Sequence, residues 1–342
     1  MTKIVLVGEA WGKDEEIARA PFVGASGRIL NSILSQVGID RKECFVTNVF
    51  NLRPSGKFAL NDIVNLCGPA DEGIPGMPYI RKGKYVRAEF QPELERLYGE
   101  IKQEEPNVIL AFGATAAWAF LGSSGIRHIR GAPALATFGT PGVKIIPTYH
   151  PAAVMREWKL RPIVLADCSK AVREGEYKEI HRPERFVWIE PDLDDLEKFF
   201  EDYIINARYL SIDIETVGTM ITCFGVAASK GVAIVCPFYD PTAPGKNYWP
   251  TRAAERTAWD WVIRVCHHPA PKIFQNGLYD MRFLLMTMNI TVVNPEEDTM
   301  LLHHALQPEM EKSLGFLGTI YTDEASWKFM RKEKGTTLKK ED

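Results

Sequence analysis

The chain has 342 residues, of which 46% are hydrophobic, and this composition is sufficient for two packed domains. Its formal net charge of -3 does not decide for or against a nucleic-acid partner. Residues 1–180 sum to +3 (23 Lys and Arg against 20 Asp and Glu), and the remainder sums to -6 (18 against 24). The sequence shows no apolar run of the roughly 18 residues that a membrane span needs and no CxxC pair, and the first residues, MTKIVLVGEA, predict a strand rather than a signal peptide. We therefore expect a soluble, cytoplasmic protein with reduced cysteines.

The first half alternates strand and helix patterns, which predicts a parallel sheet covered by helices. The strands are expected at KIVLVGEA, ECFVTNVF, NVILAFG and VKIIPTYHP, and the helices at 27–37, 92–104, from 114 onward and at 159–174. The Gly- and Pro-rich stretch 51–86 predicts a loop. The polar stretch 176–184 is the best linker candidate, and we place the domains at 1–178 and 179–342.

The second half begins with a new strand pattern at 186–189 and mixes strands with helices. Helices are expected at DLDDLEKFFEDYI and ERTAWDWVIRVC, and strands at RYLSIDIET, ITCFGVAAS and GVAIVCPF. Both halves are therefore predicted to be of the α/β class.

Residues 208–216, RYLSIDIET, place two carboxylates in an apolar run that is typical of a buried strand. The period of two puts Asp213 and Glu215 on the same face, where their mutual repulsion would be unfavourable without a cation. Divalent ions held by carboxylate oxygens are the usual remedy. The alternative is a strand whose acidic residues simply lie in solvent.

A third carboxylate, Asp280, lies in KIFQNGLYDMRFLLM at residues 272–286, where a short strand meets a helix. The pattern Asp-x-Glu with Asn-x-x-x-Asp resembles the DEDD 3′-5′ exonuclease superfamily, and NGLYDMRFL with EDTMLLHHALQPE is similar to the proofreading domain of family A DNA polymerases. The resemblance implies an RNase H-like mixed sheet and catalysis by two Mg²⁺ or Mn²⁺ ions. Their ligands would be Asp213, Glu215 and Asp280, with Asn276 on the substrate.

The family's fourth carboxylate, from a later Tyr-x-x-x-Asp helix, has no match at the right place. Tyr321 has Ala325 four residues further on, and the chain ends in the charged residues 339–342. Asp298 begins a helix and is expected to cap it. We interpret the pattern as a truncation before the last metal-ligand helix, with the polymerase part absent, and expect weak metal binding and little nuclease activity.

The stretch 8–30, GEAWGKDEEIARAPFVGASGRIL, follows a strand and is rich in glycine, but it contains neither GxGxxG nor GxxxxGK[ST]. The stretch therefore lacks the glycine patterns through which a dinucleotide site or a P-loop binds phosphates. Together with FVTNVFNLRP, ILAFGATAAWAFLG and IIPTYHPAAVMR, the stretch resembles, in order and spacing, the uracil-DNA glycosylase superfamily, most closely its family 4 enzymes. This resemblance covers nearly all of residues 1–160 and implies a three-layer glycosylase-like domain.

The resemblance also implies roles for single residues. His150 would stabilise negative charge on the departing uracil O2, Phe22 would stack on the flipped base, and Asn48 would bind the uracil edge. Glu9 and Glu15 match the acidic positions, with Glu15 the better candidate for placing water near the sugar. Val154 or Met155 would enter the minor groove, and Arg156 would contact a phosphate.

Two departures from the family pattern concern activity. The cysteines that hold an iron-sulfur cluster in family 4 enzymes are absent, one of them replaced by Leu52, so we expect no cluster. Trp11 replaces the usual proline of the GEAPG motif, and its indole would obstruct or reshape the entrance for the base. The sequence leaves open whether this domain is catalytic or is a non-catalytic DNA-binding or docking module.

The combined prediction is the amino-terminal part of a phage-type family A DNA polymerase, with a glycosylase-like domain fused to a proofreading exonuclease. Its partners would be single-stranded or primer-template DNA, including uracil-containing DNA, and a polymerase region in cis or in trans. Its location would be the host cytoplasm. Tyr279, Phe283 and Trp327 are loose candidates for stacking on single-stranded DNA.

Overall fold

The computed structural model describes residues 3–326, which form two compact units. The first contains residues 3–181 and 315–326, and the second contains residues 182–314. The break after His181 lies close to the predicted boundary at 178/179, but the residues after Leu314 pack with the first unit rather than the second. None of the helices within 3–326 has the length and apolar character to cross a bilayer.

The elements of the first unit up to residue 174 are, in chain order, β1 (Ile4–Ala10), α1 (Lys13–Ala18), α2 (Ala25–Gln36), β2 (Phe45–Phe50), β3 (Cys67–Gly68), β4 (Tyr85–Val86), α3 (Gln91–Glu104), β5 (Val108–Phe112), α4 (Ala114–Leu121), α5 (Ile126–Ile129), β6 (Ala134–Leu135), β7 (Lys144–Thr148), α6 (Pro151–Arg156) and α7 (Arg161–Glu174). Short 3-10 turns lie at Arg41–Glu43, Ile63–Leu66, Ala70–Glu72, Ala88–Phe90 and Trp158–Leu160. The strands and helices predicted for this half are all present.

Five of these strands form one sheet in the order β2-β1-β5-β7-β6, parallel except for the last pair. Along β1, Val5 and Val7 pack in one core cluster, while Ile4 and Leu6 pack in the other. Because successive side chains point to opposite faces, burial of both sets shows that helices cover both faces of the sheet. The unit is thus the three-layer α/β domain that was predicted.

The elements of the second unit are β8 (Phe186–Trp188), α8 (Leu193–Phe199), a π-helical turn (Phe200–Ile204), β9 (Leu210–Val217), β10 (Met220–Ser229), β11 (Val232–Pro237), a 3-10 turn (Pro244–Lys246), α9 (Arg252–His267), β12 (Lys272–Phe274), α10 (Gly277–Met288), β13 (Pro295–Asp298) and α11 (Thr299–Leu306). The six strands form a sheet in the order β13-β12-β9-β10-β11-β8. β10 is antiparallel to both of its neighbours, and the other pairs are parallel.

Without its edge strand β8, this sheet has the mixed arrangement of an RNase H-like fold. Numbered from β9, the order is 5-4-1-2-3, and the second strand alone runs opposite to the others. The apolar residues of β9 face the core of the second unit, where Ile212 and Ile214 pack with Phe224 and Trp261. The mixed-sheet prediction for this half is confirmed.

The last described helix, α12 (Leu314–Tyr321), packs with the first unit from Gly315 onward. Its Thr319 is 1% exposed, and its hydroxyl accepts a hydrogen bond from Arg130 at 2.8 Å. The chain therefore returns to the first unit after completing the second.

Candidate active site

A cavity of about 620 Å³ lies in the first unit at the carboxyl ends of β1, β2, β5 and β7. Ligand sites of open α/β sheets form at this edge, where neighbouring strands lead to helices on opposite faces. Seven residues singled out from the sequence line this cavity: Glu9, Trp11, Glu15, Phe22, Asn48, His150 and Arg156. Segments that are far apart in the sequence thus meet in one site.

His150 follows β7 and caps the amino end of α6. Its Nδ1 accepts a hydrogen bond from the backbone amide of Ala152 at 3.1 Å, so the proton of the neutral ring lies on Nε2. Burial, and to a smaller extent the positive charge of Arg156, lowers the pKa of His150 to about 4. At neutral pH the ring is therefore an uncharged hydrogen-bond donor through Nε2.

Phe22 lies in the turn between α1 and α2 and places its ring beside His150. The ring centroids are 5.5 Å apart, and the planes differ by 24°. Phe22 is 4% exposed and has a left-handed φ of 53°, a backbone conformation that is rare for an aromatic residue. Such conformations persist only where the surroundings impose them, and they concentrate at binding sites.

Two charged side chains impose this conformation on the turn. Arg41 donates to the backbone carbonyls of Pro21 and Phe22, both at 2.9 Å. One carboxylate oxygen of Glu15 accepts from two backbone amides of the following residues, including that of Gly24 at 2.8 Å. This structure shows Glu15 holding the turn. Its role at an attacking water stays a prediction.

Asn48 on β2 is 2% exposed, and its amide nitrogen has no hydrogen-bond partner among residues 3–326. A buried amide without a partner is uncommon and points to a group that arrives with a ligand. Gly8 on β1 makes room for it. A Cβ atom there would lie 2.2 Å from Oδ1 of Asn48 and 2.6 Å from Cζ of Phe22.

Glu9, next along β1, accepts a hydrogen bond from the hydroxyl of Thr115 at the start of α4. Burial raises the pKa of Glu9, although this bond and the charge of Arg81 oppose the shift. The carboxyl group is therefore a poorly hydrated acid at the cavity wall.

The cavity also has lining residues that the sequence did not single out. Asp62 and Arg81 form an ion pair at 3.5 Å, and Asn61 lies beside them. All three belong to the stretch 51–86, whose glycine and proline content indicated a loop but gave no sign that it folds over a cavity.

Trp11 lines the cavity, at the position where the resemblance to family 4 enzymes places the proline of the GEAPG motif. Its indole nitrogen is buried and has no hydrogen-bond partner within the described residues. The side chain therefore narrows the cavity, and its buried N–H is left without an acceptor among these residues.

Of the two residues proposed to enter the minor groove, Val154 is fully buried in the core and cannot do so. Met155 is 50% exposed and lies outside the cavity lining. Arg156 ends α6, is exposed, and lines the cavity. The structure thus leaves Met155 and Arg156 as the accessible pair.

The six cysteines are free thiols, and position 52 holds Leu52 packed against the core. Among residues 3–326, no group of three or more His, Cys, Asp or Glu side chains is arranged to hold a metal ion. The residues present do not fit an iron-sulfur cluster.

In the second unit, Asp213 and Glu215 lie on the same face of β9, as predicted, but both are exposed. The expectation that they are buried was wrong. Period-two alternation tells which side chains share a face and not whether another layer covers that face.

Asp280 on α10 is 4% exposed and contacts β9 between the two acids. Its Oδ1 accepts a hydrogen bond from the backbone amide of Ile214 at 3.0 Å. The pairing of β12 with β9 ends at Ser211, so the amide of Ile214 lies beyond it. Burial raises the pKa of Asp280 to about 6, and the nearby charge of Asp213 adds to this effect. The structure thus brings Asp280 to the strand that carries the other two carboxylates.

Asn276 and Asp298 have backbone and capping contacts in this structure. Asn276 is exposed and adopts a left-handed φ of 64° before α10. Asp298 accepts from the amides of Gly277 at 2.7 Å and Met300 at 2.9 Å, and so caps both α10 and α11. The predicted capping role of Asp298 agrees with this geometry.

Within the described residues, the three predicted metal ligands do not form a group able to hold an ion. They therefore do not fit a complete two-metal site. Trp327 and the charged tail 339–342 lie outside the described residues.

The structure of the whole chain is similar to two solved nucleases at a low level. For Brucella melitensis NrnC the TM-score is 0.29 at 14% identity, over 42% of this chain and 63% of that chain. For Escherichia coli RNase D, an exoribonuclease involved in structured RNA processing, the TM-score is 0.30 at 16% identity, over 42% of this chain and 34% of that chain. Scores below 0.5 do not establish a shared fold.

Curated relatives match the first unit more closely. The type-4 uracil-DNA glycosylase of Thermotoga maritima is 32% identical over 174 residues, which is 50% of this chain and 76% of that enzyme. The enzyme of the same type from Archaeoglobus fulgidus is 31% identical over 173 residues, or 49% of this chain and 74% of the enzyme. The profile of the uracil DNA glycosylase superfamily matches residues 1–173, which contain the whole cavity lining. The chain belongs to the uracil DNA glycosylase superfamily.

Proposed function

We propose that the first unit binds uracil flipped out of DNA and cleaves the bond between the base and deoxyribose. The observation that carries this proposal is the neutral His150, whose Nε2–H is available in a cavity together with the ring of Phe22 and the unpartnered amide of Asn48. Aromatic stacking and an amide are a suitable set for a flipped pyrimidine.

The chemistry assigned to His150 is donation to uracil O2 as negative charge develops there. A neutral donor in a site poor in water stabilises such an oxyanion without a proton transfer. Because the donor is fixed by the Ala152 amide on its other nitrogen, its direction is set before the substrate binds. Water would then attack C1′ of the sugar as the bond from C1′ to uracil N1 breaks and uracil leaves as an anion, and the carboxylate of Glu9 or Glu15 would accept the proton of the water.

Trp11 determines how large a base the cavity admits. Its indole occupies space at the cavity wall, and its buried N–H has no counterpart in the proline of related enzymes. If the indole blocks entry, the first unit is a DNA-binding module without catalysis, which is the second candidate function for this half.

The experiment is uracil release from a single-stranded oligonucleotide, detected as strand cleavage after alkali treatment. Wild-type protein should produce abasic sites, and His150→Ala should lower kcat by about 10²–10³-fold, the effect of removing one oxyanion donor. His181→Ala, outside the cavity, is the matched control. Binding without abasic product, in wild type and variants alike, would favour the module.

Met155 and Arg156 are proposed to contact DNA, the methionine at the vacated stack and the arginine at a phosphate. Arg156→Ala should weaken binding of uracil-containing and uracil-free DNA alike. The slope of log K against log salt concentration should fall by about the amount expected for one phosphate contact. An unchanged salt dependence would refute the assignment.

For the second unit we infer descent from a 3′-5′ exonuclease with Asp213, Glu215 and Asp280 at the former or weakened metal site. Support comes from the RNase H-like strand order and from the contact of Asp280 with β9. Because the three carboxylates alone do not make a complete site, we expect little digestion of a primer end with Mg²⁺ or Mn²⁺. Strong Mn²⁺-dependent digestion by this chain, abolished in Asp213→Asn, would show that the site is complete.

We further propose that the chain acts in DNA replication and repair as the amino-terminal part of a phage-type DNA polymerase, with the polymerase region in cis or in trans. Such a protein should bind a primer-template junction more tightly than blunt duplex DNA. Fluorescence anisotropy with both DNAs is the measurement, and equal affinities would contradict the proposal.

A further inference from the structure

The first unit contains a buried charged cluster, defined here as Arg130, Asp167 and Lys170, which is separate from the cavity. Arg130 and Asp167 are 1% and 0% exposed, and Lys170 is 7% exposed. Arg130 forms a two-bond ion pair with Asp167, one bond of which is 3.0 Å from Nε to Oδ2. Lys170 has no carboxylate of its own in the cluster, so its charge needs other acceptors.

Those acceptors are backbone carbonyls, and most of them come from the segment after the second unit. Nζ of Lys170 donates to the carbonyl of Gly131 at 2.7 Å, to that of Thr319 at 2.8 Å, and to that of Thr322. The carbonyls at the end of a helix lack partners within the helix and carry partial negative charge. Lys170 therefore caps the carboxyl end of α12.

The same segment also satisfies Arg130. Nη1 of Arg130 donates to the hydroxyl of Thr319 at 2.8 Å. Four residues after Thr319 in the same segment, Asp323 forms a surface ion pair with Arg173 at 2.6 Å. Without residues 315–323, the cluster would keep two buried cations and lose three acceptors, which is strongly unfavourable.

The cluster is connected to the strand end that carries His150. The hydroxyl of Thr148, on β7, donates to Oδ2 of Asp167 at 2.7 Å. The guanidinium of Arg130 lies 5.9 Å from the ring centroid of Tyr149, which lines the cavity. Gly131 packs tightly here, since a Cβ atom would lie 2.6 Å from Oδ1 of Asp167. A continuous set of contacts thus runs from Thr319 to the residues that precede His150.

We propose that residues 315–323 are a positioning segment of the glycosylase site, which fixes the His150 loop through Arg130, Asp167 and Thr148. The proposal rests on the function proposed for the first unit. Thr319 does not touch the cavity, so it acts through the other residues. The first unit therefore depends on residues that follow the second unit in the chain.

The test uses the full chain and three variants of the same helix end. Thr319→Val keeps the shape and removes the acceptor, whereas Thr319→Ser keeps the hydroxyl. Thr322→Val is the matched control, because its hydroxyl bonds to the carbonyl of Gly318 within the segment and its own carbonyl remains for Lys170. The readouts are uracil release and hydrogen exchange of the amides of residues 148–153, which include the Ala152 amide bound to His150.

In Thr319→Val we expect faster exchange at 148–153 and a kcat lower by about tenfold, with KM nearly unchanged, because a small displacement of a catalytic group acts mainly on the chemical step. Thr319→Ser should restore both, and Thr322→Val should behave as wild type. If Thr319→Val does not fold, Asp323→Asn removes the surface pair alone and should give a smaller change in the same two readouts.

Unchanged exchange at 148–153 in Thr319→Val, or in Asp323→Asn if Thr319→Val does not fold, would overturn the proposal. So would a loss of protection confined to 315–323 or spread evenly over the first unit, since either shows a structural contact only. If wild-type protein releases no uracil but exchange changes as expected, the positioning contact stands and the proposed function fails.

Discussion

The charge state of His150 is decided by burial and, to a smaller extent, by the positive charge of Arg156, both of which lower its pKa. Because its pKa is lowered to about 4, the ring stays neutral through the ordinary pH range. We predict a kcat for uracil release that is flat from pH 8 to about 5 with respect to this group and falls near pH 4. A pH-rate profile is the measurement, and a fall centred near 6.5 would contradict the assignment.

The same shift affects stability with a definite sign. Between pH 6.5 and about 4, His150 takes up a proton in the unfolded chain but not in the folded one. Its contribution therefore lowers the free energy of unfolding as pH falls through this window. Denaturant titrations of wild type and His150→Ala across the window would isolate the contribution.

Gly8 offers a sharper test of the cavity. Gly8→Ala places a methyl group 2.2 Å from Oδ1 of Asn48, so Asn48 and Phe22 must both move. We expect a loss of about 1–3 kcal/mol in the free energy of unfolding and a large loss of uracil release. Urea unfolding and the release assay measure the two effects.

Gly99 provides the matched control for Gly8. It lies inside α3, and a Cβ atom there meets nothing within 4 Å. Gly99→Ala should therefore raise stability by about 0.5–1 kcal/mol through helix propensity. If Gly8→Ala keeps wild-type activity and loses no stability, the close packing at Gly8 is not what shapes the cavity.

How far the sequence predicts the site differs from residue to residue. The ordered segments led to Phe22, Asn48 and His150, and the structure brings all three to one cavity. Arg81 could not be found in this way, because its position depends on how a long loop folds. Val154 was considered for DNA contact because local sequence does not tell which side of a short helix is buried.

At the scale of elements, the turn at residues 21–24 is held from both sides by hydrogen bonds to Arg41 and Glu15. We predict that Arg41→Ala raises KM for uracil-containing DNA and costs about 1.5–3 kcal/mol, the usual contribution of hydrogen bonds from a charged group. Lys42→Ala, at an exposed neighbour, should change neither. Steady-state kinetics and thermal unfolding of both variants are the measurements. An unchanged KM in Arg41→Ala would show that the turn keeps its conformation without Arg41.

β9 shows what strand periodicity can and cannot predict. The alternation correctly placed Asp213 and Glu215 together, opposite Ile212 and Ile214. The apolar neighbours suggested a strand buried on both faces, as in β1, but only one face of β9 is covered. β1 and β9 have similar apolar residues but differ in how many of their faces are buried, because the elements that cover each face come from distant parts of the sequence.

For the whole molecule, the assignment of α12 depends on contacts that the sequence does not reveal. Its apolar sequence LGFLGTIY predicts burial but gives no sign of which core receives it. A division into contiguous domains at 178/179 therefore placed it with the second half. The acceptors for Lys170 show its place in the first unit.

The second unit, residues 182–314, is inserted in the chain between the two parts of the first unit. Replacing residues 182–314 by a flexible Gly/Ser linker should leave a folded first unit, because the entropy of closing a loop changes slowly with its length. Hydrogen-exchange protection of 148–153 should match that of the full chain. The same replacement with Thr319→Val is the control, and loss of protection in both would contradict the prediction.

The return of the chain also determines when the first unit can be completed during translation. Residues 1–181 leave the ribosome first, but Arg130 and Lys170 lack the acceptors that Thr319 and Thr322 supply until those residues have followed. At about 5–20 residues per second, synthesis of the intervening unit takes on the order of ten seconds. The nascent glycosylase-like unit is then exposed to chaperones and proteases with its charged cluster open, although it was translated first.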